Sequence, residues 1–184
     1  SCIDQFQNPE IIIVDDNSTD DSYKVVSMFD RGDIKFLKIN EPYSPGYSIN
    51  LGVKNAKYNT ILILSAHCQI KYIKDFDKNV SKNLNNFCAV FGKQIPIYRG
   101  KKITPRYIWS HFKNESVENM FSTIEQRSFL HNAFCFYNKE FLIKNPMPEK
   151  YPGKEDRYWA IDMVSKGYNY LYNPNSSVNH YYTK

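Results

Sequence analysis

Two pairs of adjacent carboxylates stand out as side chains that could bind a ligand or move a proton. Asp15 and Asp16 directly follow the apolar run 11–14, while Glu155 and Asp156 lie near the C-terminal end. The apolar run is typical of a strand buried on both faces, and such strands belong to parallel sheets flanked by helices. Because ligands bind beyond the carboxyl ends of these strands, we expect Asp15 and Asp16 to line a site for a polar ligand.

Helix and strand signals predict the elements that must position these carboxylates. Ser18 and Asp21 have the spacing of a capping box, which predicts a helix just after the acidic turn. Ser44 followed by Pro45 predicts a second helix start, and apolar residues at intervals of three and four predict another helix between 70 and 84. The first helix is expected to pack one apolar face on the sheet, formed by the side chains of Tyr23, Val25, Val26 and Phe29. Further strands are predicted at 34–39, 60–64, 87–92, 132–137 and 168–172.

Composition and charge indicate one globular domain. The chain has 184 residues, of which 42% are hydrophobic and 16% aromatic, and this suits a single sizeable core. Its 24 basic and 19 acidic residues leave a net charge of +5. That charge suits an anionic substrate or membrane surface and is too weak to indicate nucleic acid binding. No apolar run approaches the roughly 20 residues that span a bilayer.

The four cysteines are scattered and lack the close spacing of a zinc site. Three of them lie in apolar surroundings, so we expect buried, reduced thiols in a cytoplasmic protein. The weak positive charge is compatible with peripheral association at the inner face of the membrane.

The acidic turn carries a resemblance to a known family. The stretch from Val14 to Asp20 reads VDDNSTD and closely resembles the VDDGSTD signature of family 2 glycosyltransferases. This resemblance implies the GT-A fold, a Rossmann-like α/β three-layer sandwich with a mostly parallel central sheet that binds a nucleotide-sugar. It also implies that Asp16 contacts the nucleotide base, with Asp15 beside it in the donor site.

Two later stretches extend the resemblance. Residues 46–56 look like the family's Gly-x-x-x-Asn-x-Gly-x-x-x-Ala helix, which would place Asn50 at the donor, although Ile49 stands where the family often has arginine. Residues 155–160 resemble the Glu-Asp-x-x-Trp-Ala stretch of family 2 enzymes that build bacterial surface polysaccharides. This implies that Asp156 is the base that deprotonates the acceptor hydroxyl and that Glu155 orients or contacts the acceptor. Two acidic residues that only complement the helix dipole are the simpler alternative.

A metal site is also implied. Where the family carries an Asp-x-Asp motif that holds a divalent metal against the donor diphosphate, this chain has Ser65, Ala66 and His67. The resemblance places Ser65 and Ala66 at the donor, and neutral His67 is a competent ligand for Mn²⁺. His180 is similar to a C-terminal histidine that in GT-A enzymes reaches the metal or the diphosphate. Two alternatives stay open: Mn²⁺ or Mg²⁺ held by these histidines, and a hydrogen-bonded His67 with no metal.

The resemblance runs from about Ser1 to His180, so we expect one GT-A domain over residues 1–184. The chain begins without methionine and lacks the first strand of the resembled family, so we expect a segment upstream of Ser1. The aromatic and basic segment from Arg99 to His131 is a candidate acceptor surface, because aromatic faces suit sugar rings, or else a locally packed excursion.

These observations favour an inverting glycosyltransferase that uses a UDP- or dTDP-sugar and a glycan or lipid-linked acceptor in bacterial capsule or lipopolysaccharide synthesis. The lost Asp-x-Asp motif favours a second hypothesis, a non-catalytic nucleotide-sugar-binding module. A nucleotidyltransferase is a third, although it would want a Gly-rich basic loop after its first strand, a part that is missing from this chain. A phosphoacceptor receiver domain is disfavoured because the strand 60–64 ends in Ser-Ala-His and not in an aspartate.

Overall fold

The part of the chain that the structure describes contains four α-helices, eleven strands, one π-helical turn and two short 3₁₀ helices. The structure is a computed structural model and describes residues 6, 8–29, 32–98, 101–102 and 107–182. The helices are α1 (Ser22–Ser27), α2 (Pro45–Asn55), α3 (Lys139–Lys144) and α4 (Glu155–Ser165). The strands are β1 (Ile11–Asp15), β2 (Ile34–Lys38), β3 (Thr60–Leu64), β4 (Cys68–Ile73), β5 (Ala89–Tyr98), β6 (Lys101–Lys102), β7 (Val117–Glu118), β8 (Phe121–Ser122), β9 (Arg127–Ser128), β10 (Phe134–Asn138) and β11 (Tyr170–Tyr182). No helix among the described residues is long and apolar enough to cross a bilayer.

Within the described residues the strands form a large sheet, a parallel pair and a small hairpin. The large sheet has the order β3-β10-β5-β11-β4, with β6 beside β5 and β7 beside β11. The pair β1–β2 runs in parallel, with Ile11 opposite Ile34 and Asp15 opposite Lys38. Strands β8 and β9 form the hairpin. The predicted α/β class is confirmed.

Strand direction differs from the expected mostly parallel sheet. In the large sheet β5 and β11 are parallel, but β10 runs antiparallel to β3 and β5, and β11 runs antiparallel to β4. An all-apolar strand indicates that both of its faces are buried. An antiparallel strand inside a layered fold is also buried on both faces. The apolar runs therefore indicated the layers and carried no information on direction.

Apolar clusters cover both faces of the large sheet. In β10, Cys135 and Tyr137 join one cluster, whereas Phe134 and Phe136 join the other, as the alternation of side chains along a strand requires. The first cluster connects the sheet to the helices through Val53 of α2, Leu142 of α3 and Trp159 of α4. The second is closed by a π-helical turn at Asp77–Ser81, which contributes the fully buried Val80. The result is a three-layer core.

The helix after the acidic turn differs from the prediction. Helix α1 has Asp21 as its N-cap residue without a side-chain hydrogen bond, so Ser18 and Asp21 do not form a capping box. Three of the side chains expected to face the sheet are more than half exposed, namely Tyr23, Val25 and Phe29. A pair of strands offers little surface to cover such a helix. Arg31 and Gly32 predict the end of this helix, with the glycine as C-cap, and Arg31 lies outside the described residues.

The predicted helix between 70 and 84 is wrong in type. The segment begins as strand β4, continues as the π-helical turn and ends in a 3₁₀ turn at Asn83–Asn85. Ile70 pairs with Val178 across the β4–β11 ladder, and both are buried in the second cluster. The spacing of the apolar residues therefore marked one buried face correctly, while pairing with a strand a hundred residues away decided the type of the element.

Candidate active site

The first turn of α4 holds a buried carboxylate. Asp156 is 7% exposed, and its two oxygens accept hydrogen bonds from the backbone N–H groups of Asn132 at 2.9 Å and Arg157 at 2.8 Å. Burial raises the pKa of Asp156 to about 6, although these backbone hydrogen bonds act in the opposite direction. Lys154 ends the preceding loop with a φ of 61°, in the left-handed region. A carboxylate with a pKa near neutrality is suited to accept a proton.

A polar network surrounds this carboxylate. Asn132 Nδ2 donates to Glu155 Oε1 at 3.3 Å, and Asn132 Oδ1 accepts the phenol hydrogen of Tyr137 at 2.6 Å. Glu155 is also buried, and its pKa is raised first by burial and then by the negative charge of Asp156. Asn132 therefore contacts both carboxylates, through its backbone N–H to Asp156 and its side-chain Nδ2 to Glu155.

The acidic turn after β1 presents Asp16 to solvent. Asp15 Oδ2 accepts the backbone N–H of Ser18 at 3.0 Å, so Asp15 shapes the turn, whereas Asp16 is exposed. Asn17 has a φ of 53°, a conformation that asparagine tolerates. Burial raises the pKa of the Tyr43 phenol, and the charges of Glu155 and Asp16 raise it further. Tyr43 is thus electrostatically coupled to both acidic pairs and was missed in the sequence.

A cleft of about 700 Å³ extends from the acidic turn to the end of β3. Its lining includes Asp15, Asp16 and Ala66, which brings these three predicted donor-site residues together. The backbone N–H of Ser65 donates to the carbonyl oxygen of Ala133 at 3.2 Å. Since Ala133 follows Asn132, this turn is tied directly to the loop that holds Asp156.

Two predicted metal ligands meet at the far side of the same turn. The rings of His67 and His180 stack with centroids 4.5 Å apart, and the carbonyl oxygen of His67 accepts the N–H of Tyr181 at 2.9 Å. Ligand atoms of His67, Cys68 and His180 all lie within 4.8 Å of one another, so these side chains could hold a metal ion. Burial lowers the pKa of His67, and burial followed by the charges of other histidines lowers that of His180 to about 4. Both imidazoles are therefore neutral, the form that ligates metals.

His131 is a further residue that the sequence analysis did not select. Its Nδ1 is buried without a hydrogen-bond partner among the described residues. Burial, followed by the charge of His67, lowers its pKa to about 4. His131 precedes Asn132 and therefore lies between the histidine pair and the buried carboxylates. An isolated histidine gives no local sequence signal that would have identified it.

Asn50 has a different role from the predicted donor contact. Its Nδ2 donates to Met147 O at 2.9 Å and to Glu149 Oε1 at 2.8 Å, and its Oδ1 accepts the N–H of Met147 at 2.9 Å. The side chain is 7% exposed and all its hydrogen-bonding groups are occupied. A Cβ on Gly46 would overlap the carbonyl oxygen of Pro148, so α2 packs closely on this loop. Asn50 therefore anchors the loop that leads to α4.

The expected acceptor surface is only partly described. Trp109 and Phe112 are each 5% exposed and belong to the first apolar cluster, so their rings cannot stack on a sugar. The basic residues Arg99 and Arg106 lie outside the described residues. Close in sequence to Glu155 and Asp156, the rings of Tyr151 and Tyr158 stack at 3.9 Å between centroids. The locally packed alternative thus holds for Trp109, Phe112 and Phe129, whereas Phe121 is 53% exposed.

Comparison with known proteins gives consistent matches. A family model described as glycosyl transferase family 2 matches residues 1–145. The O-antigen chain rhamnosyltransferase WbaN of Salmonella anatum is 23% identical over 181 residues, which cover 95% of this chain and 57% of that protein. Two solved structures are similar in fold. GalNAc-T7 with UDP, GalNAc and Mn²⁺ has a TM-score of 0.68 at 16% identity, over 95% of this chain and 38% of that one. S. aureus TarS 1-349 in complex with UDP-GlcNAc has a TM-score of 0.68 at 19% identity, over 97% of this chain and 52% of that one.

Proposed function

The chain belongs to glycosyl transferase family 2, and we propose that it is an inverting glycosyltransferase that moves a sugar from a UDP- or dTDP-sugar to a glycan or lipid-linked acceptor. The observation that carries the proposal is the buried carboxylate of Asp156 at the start of α4, which binds the loop that also accepts the hydrogen bond of Ser65, next to Ala66 in the lining of the cleft. The matched WbaN protein is an O-antigen chain rhamnosyltransferase, which supports a role in bacterial polysaccharide synthesis. The chain spans about half the length of the proteins that it matches.

On the donor side, Asp16 would contact the nucleotide base and the Ser65–Ala66 turn would face the diphosphate. The cleft that includes Asp15, Asp16 and Ala66 supports this assignment, because it joins the acidic turn to the end of β3. The neighbouring structures named above hold UDP or UDP-GlcNAc, which favours a uridine nucleotide. Asp15 would keep the turn in shape through its hydrogen bond with Ser18.

On the acceptor side, Asp156 would take the proton of the attacking hydroxyl as that oxygen displaces the nucleoside diphosphate in one step. One substitution at the anomeric carbon inverts its configuration, and no covalent enzyme intermediate forms. Glu155 would orient the acceptor through its position in the network of Asn132. The stacked rings of Tyr151 and Tyr158 supply an apolar face for a sugar ring near this pair.

His67 and His180 would hold a divalent metal ion beside the diphosphate. The proximity of their ligand atoms and their neutral state support this assignment. A bound metal would offset negative charge on the leaving diphosphate. The Mn²⁺ in the GalNAc-T7 structure belongs to a protein of the same fold.

The proposal is tested by replacing the base. Asp156→Asn should lower transfer from labelled UDP- or dTDP-sugars to bacterial lipid-linked glycans by at least about 100-fold, because general base catalysis is worth roughly that much. Donor affinity should stay unchanged, since Asp156 faces the acceptor. Asp162→Asn on the exposed face of α4 is the matched control and should keep full activity. Full transfer by Asp156→Asn would refute the role of Asp156. Nucleotide binding without any transfer by the wild-type protein would indicate a non-catalytic module.

A further inference from the structure

A cysteine lies with the two histidines at the donor-side turn. Cys68 is half-buried and is a free thiol, and its Sγ lies within 4.8 Å of the ligand nitrogens of His67 and His180. These three residues form the cluster that we call the His-Cys-His cluster. Among the described residues, no other group of three or more His, Cys, Asp or Glu side chains lies close enough together to bind one ion.

The β4–β11 ladder fixes the arrangement. Cys68 pairs directly with His180 in the antiparallel register, so their side chains leave the same face of the sheet. His67 precedes Cys68, and its carbonyl oxygen accepts the N–H of Tyr181. All three residues are therefore attached to two paired backbones and need only side-chain rotation to converge on an ion. Ligands of one tetrahedral zinc ion lie roughly 3.3–3.7 Å apart, a movement of about 1 Å from the present upper limit.

The chemistry of this ligand set differs from that of a Mg²⁺ or Mn²⁺ site. Those ions are usually bound by carboxylate, carbonyl and water oxygens, and none of the three side chains of the cluster is a carboxylate. One thiolate and two imidazoles are the ligands of a zinc-type ion. We propose that the His-Cys-His cluster is a site for Zn²⁺ or a similarly soft divalent ion, with Cys68 as a metal ligand.

The open coordination position connects this site to catalysis. Three protein ligands leave one position of a tetrahedral ion free, as in catalytic and not structural zinc sites. In the donor site proposed above, on which this step rests, that position would be available to an oxygen of the donor diphosphate. The alternative is that Cys68 acts only as a small apolar side chain, since it also packs against the second cluster of the core.

Cobalt spectroscopy distinguishes these alternatives without an activity assay. Titration of the whole chain with Co²⁺ should give the visible bands of a tetrahedral ion and a near-ultraviolet sulfur-to-cobalt charge-transfer band. The charge-transfer band should disappear in Cys68→Ser. It should persist in Cys88→Ala, the matched control, because Cys88 is a free cysteine buried in the core cluster away from these histidines. Absence of the band in the wild-type protein, or its persistence in Cys68→Ser, would overturn the proposal.

Competition between metals gives the second readout. Zn²⁺ binds more tightly than Mn²⁺ at almost any nitrogen, oxygen or sulfur site, so a simple preference proves little. The diagnostic result is selective: Cys68→Ser should weaken Zn²⁺ binding by at least about tenfold and leave Mn²⁺ binding nearly unchanged, since thiolate favours the softer ion. Equal losses for both ions would overturn the role of the thiolate. Circular dichroism should confirm that each variant is folded.

The two proposals can fail separately. A thiolate-bound cobalt spectrum without any stabilisation by UDP or dTDP would support the metal site and refute the donor site. Stabilisation by a nucleotide in a protein that gives no such spectrum would overturn the metal site and leave the glycosyltransferase proposal intact.

Discussion

The backbone hydrogen bonds of Asp156 and its burial have opposite effects on the stability of the ionised carboxylate, and both suit it to act as a base. Its two backbone hydrogen bonds hold the carboxylate in place, while burial makes ionisation unfavourable and raises its pKa to about 6. The sequence indicated this residue because its motif is local. It did not indicate Asn132, which lies 24 residues away and meets Asp156 only when β10 and α4 pack in the fold.

The raised pKa of Asp156 predicts opposite pH trends for activity and stability. Transfer should increase as pH rises through about 6, because the base must be ionised. The pKa of the folded state lies above the ordinary value of 3.8, so the stabilising contribution is complete below about 3.8 and is lost as pH rises through about 6. The shift of about two units corresponds to roughly 3 kcal/mol.

Asp156→Asn separates this contribution from all other titrating groups. Relative to the wild-type protein, the free energy of unfolding of the variant should rise by up to about 3 kcal/mol between about pH 4 and pH 7, since the amide does not ionise. Urea denaturation at several pH values measures this difference. A difference that does not depend on pH would contradict a raised pKa at this position.

At the scale of elements, α4 is attached to the rest of the fold by charge as well as by apolar contacts. Arg157 of α4 is 4% exposed and forms an ion pair with Glu125 in the β8–β9 hairpin. Its guanidinium carbon Cζ lies 4.8 Å from the ring centroid of Phe129. On the opposite face of the helix, Lys166 and Asp162 form an exposed pair at 2.7 Å. The same helix thus carries a buried and an exposed ion pair.

Glu125→Gln should lower the free energy of unfolding by about 1.5–3 kcal/mol, because it removes a charged hydrogen-bond partner of the buried Arg157 guanidinium. Asp162→Asn, the matched control on this helix, should cost no more than about 0.5 kcal/mol, because the exposed pair is screened by water. Chemical denaturation of both variants gives the comparison. Similar small losses in both would show that the buried pair is not a determinant of the position of α4.

Helix α2 is held in place by a contact that its own sequence does not predict. Ser44 and Pro45 predicted its start, and Ser44 Oγ does accept the N–H of Tyr47 at 3.2 Å. Asn50, however, binds a loop 97 residues further along the chain, and only the tertiary structure brings the two together. The misassigned helix between 70 and 84 has the same cause, since β11 determined that β4 is a strand.

Asn50→Ala should destabilise the protein by about 1–3 kcal/mol, because the buried N–H and carbonyl groups of Met147 lose their partner. Nucleotide affinity should remain unchanged if Asn50 anchors the loop and does not contact the donor. Thermal unfolding and a UDP titration measure the two effects. Loss of nucleotide affinity without loss of stability would restore the donor role that the family resemblance implied.

At the scale of the whole molecule, the two sides of the proposed donor cleft differ in how well they are packed against the core. The large sheet carries both apolar clusters, whereas the β1–α1–β2 unit exposes Tyr23, Val25 and Phe29. Polar contacts attach this unit to the end of α2 and the residues that follow it. Lys35 Nζ donates to Asn55 O at 3.1 Å, and Glu10 accepts the N–H of Lys57 at 2.6 Å. A ligand that spans the cleft should therefore stabilise the β1–α1–β2 unit most.

Hydrogen–deuterium exchange with and without UDP and a divalent metal should detect this asymmetry. Exchange within residues 11–29 should slow on binding, since a saturating ligand at about 100 times its Kd adds roughly 2.7 kcal/mol to the state that binds it. Amides of α3 that open through local fluctuations should change little, because such openings leave the cleft intact, whereas an amide that exchanges only through global unfolding should slow by the full effect of the ligand. Asp16→Asn should abolish the protection, and Asp77→Asn should retain it, because Asp77 is exposed and lies outside the lining of the cleft. Equal protection in both variants would place the nucleotide away from Asp16, and protection of α3 alone would place it outside the cleft.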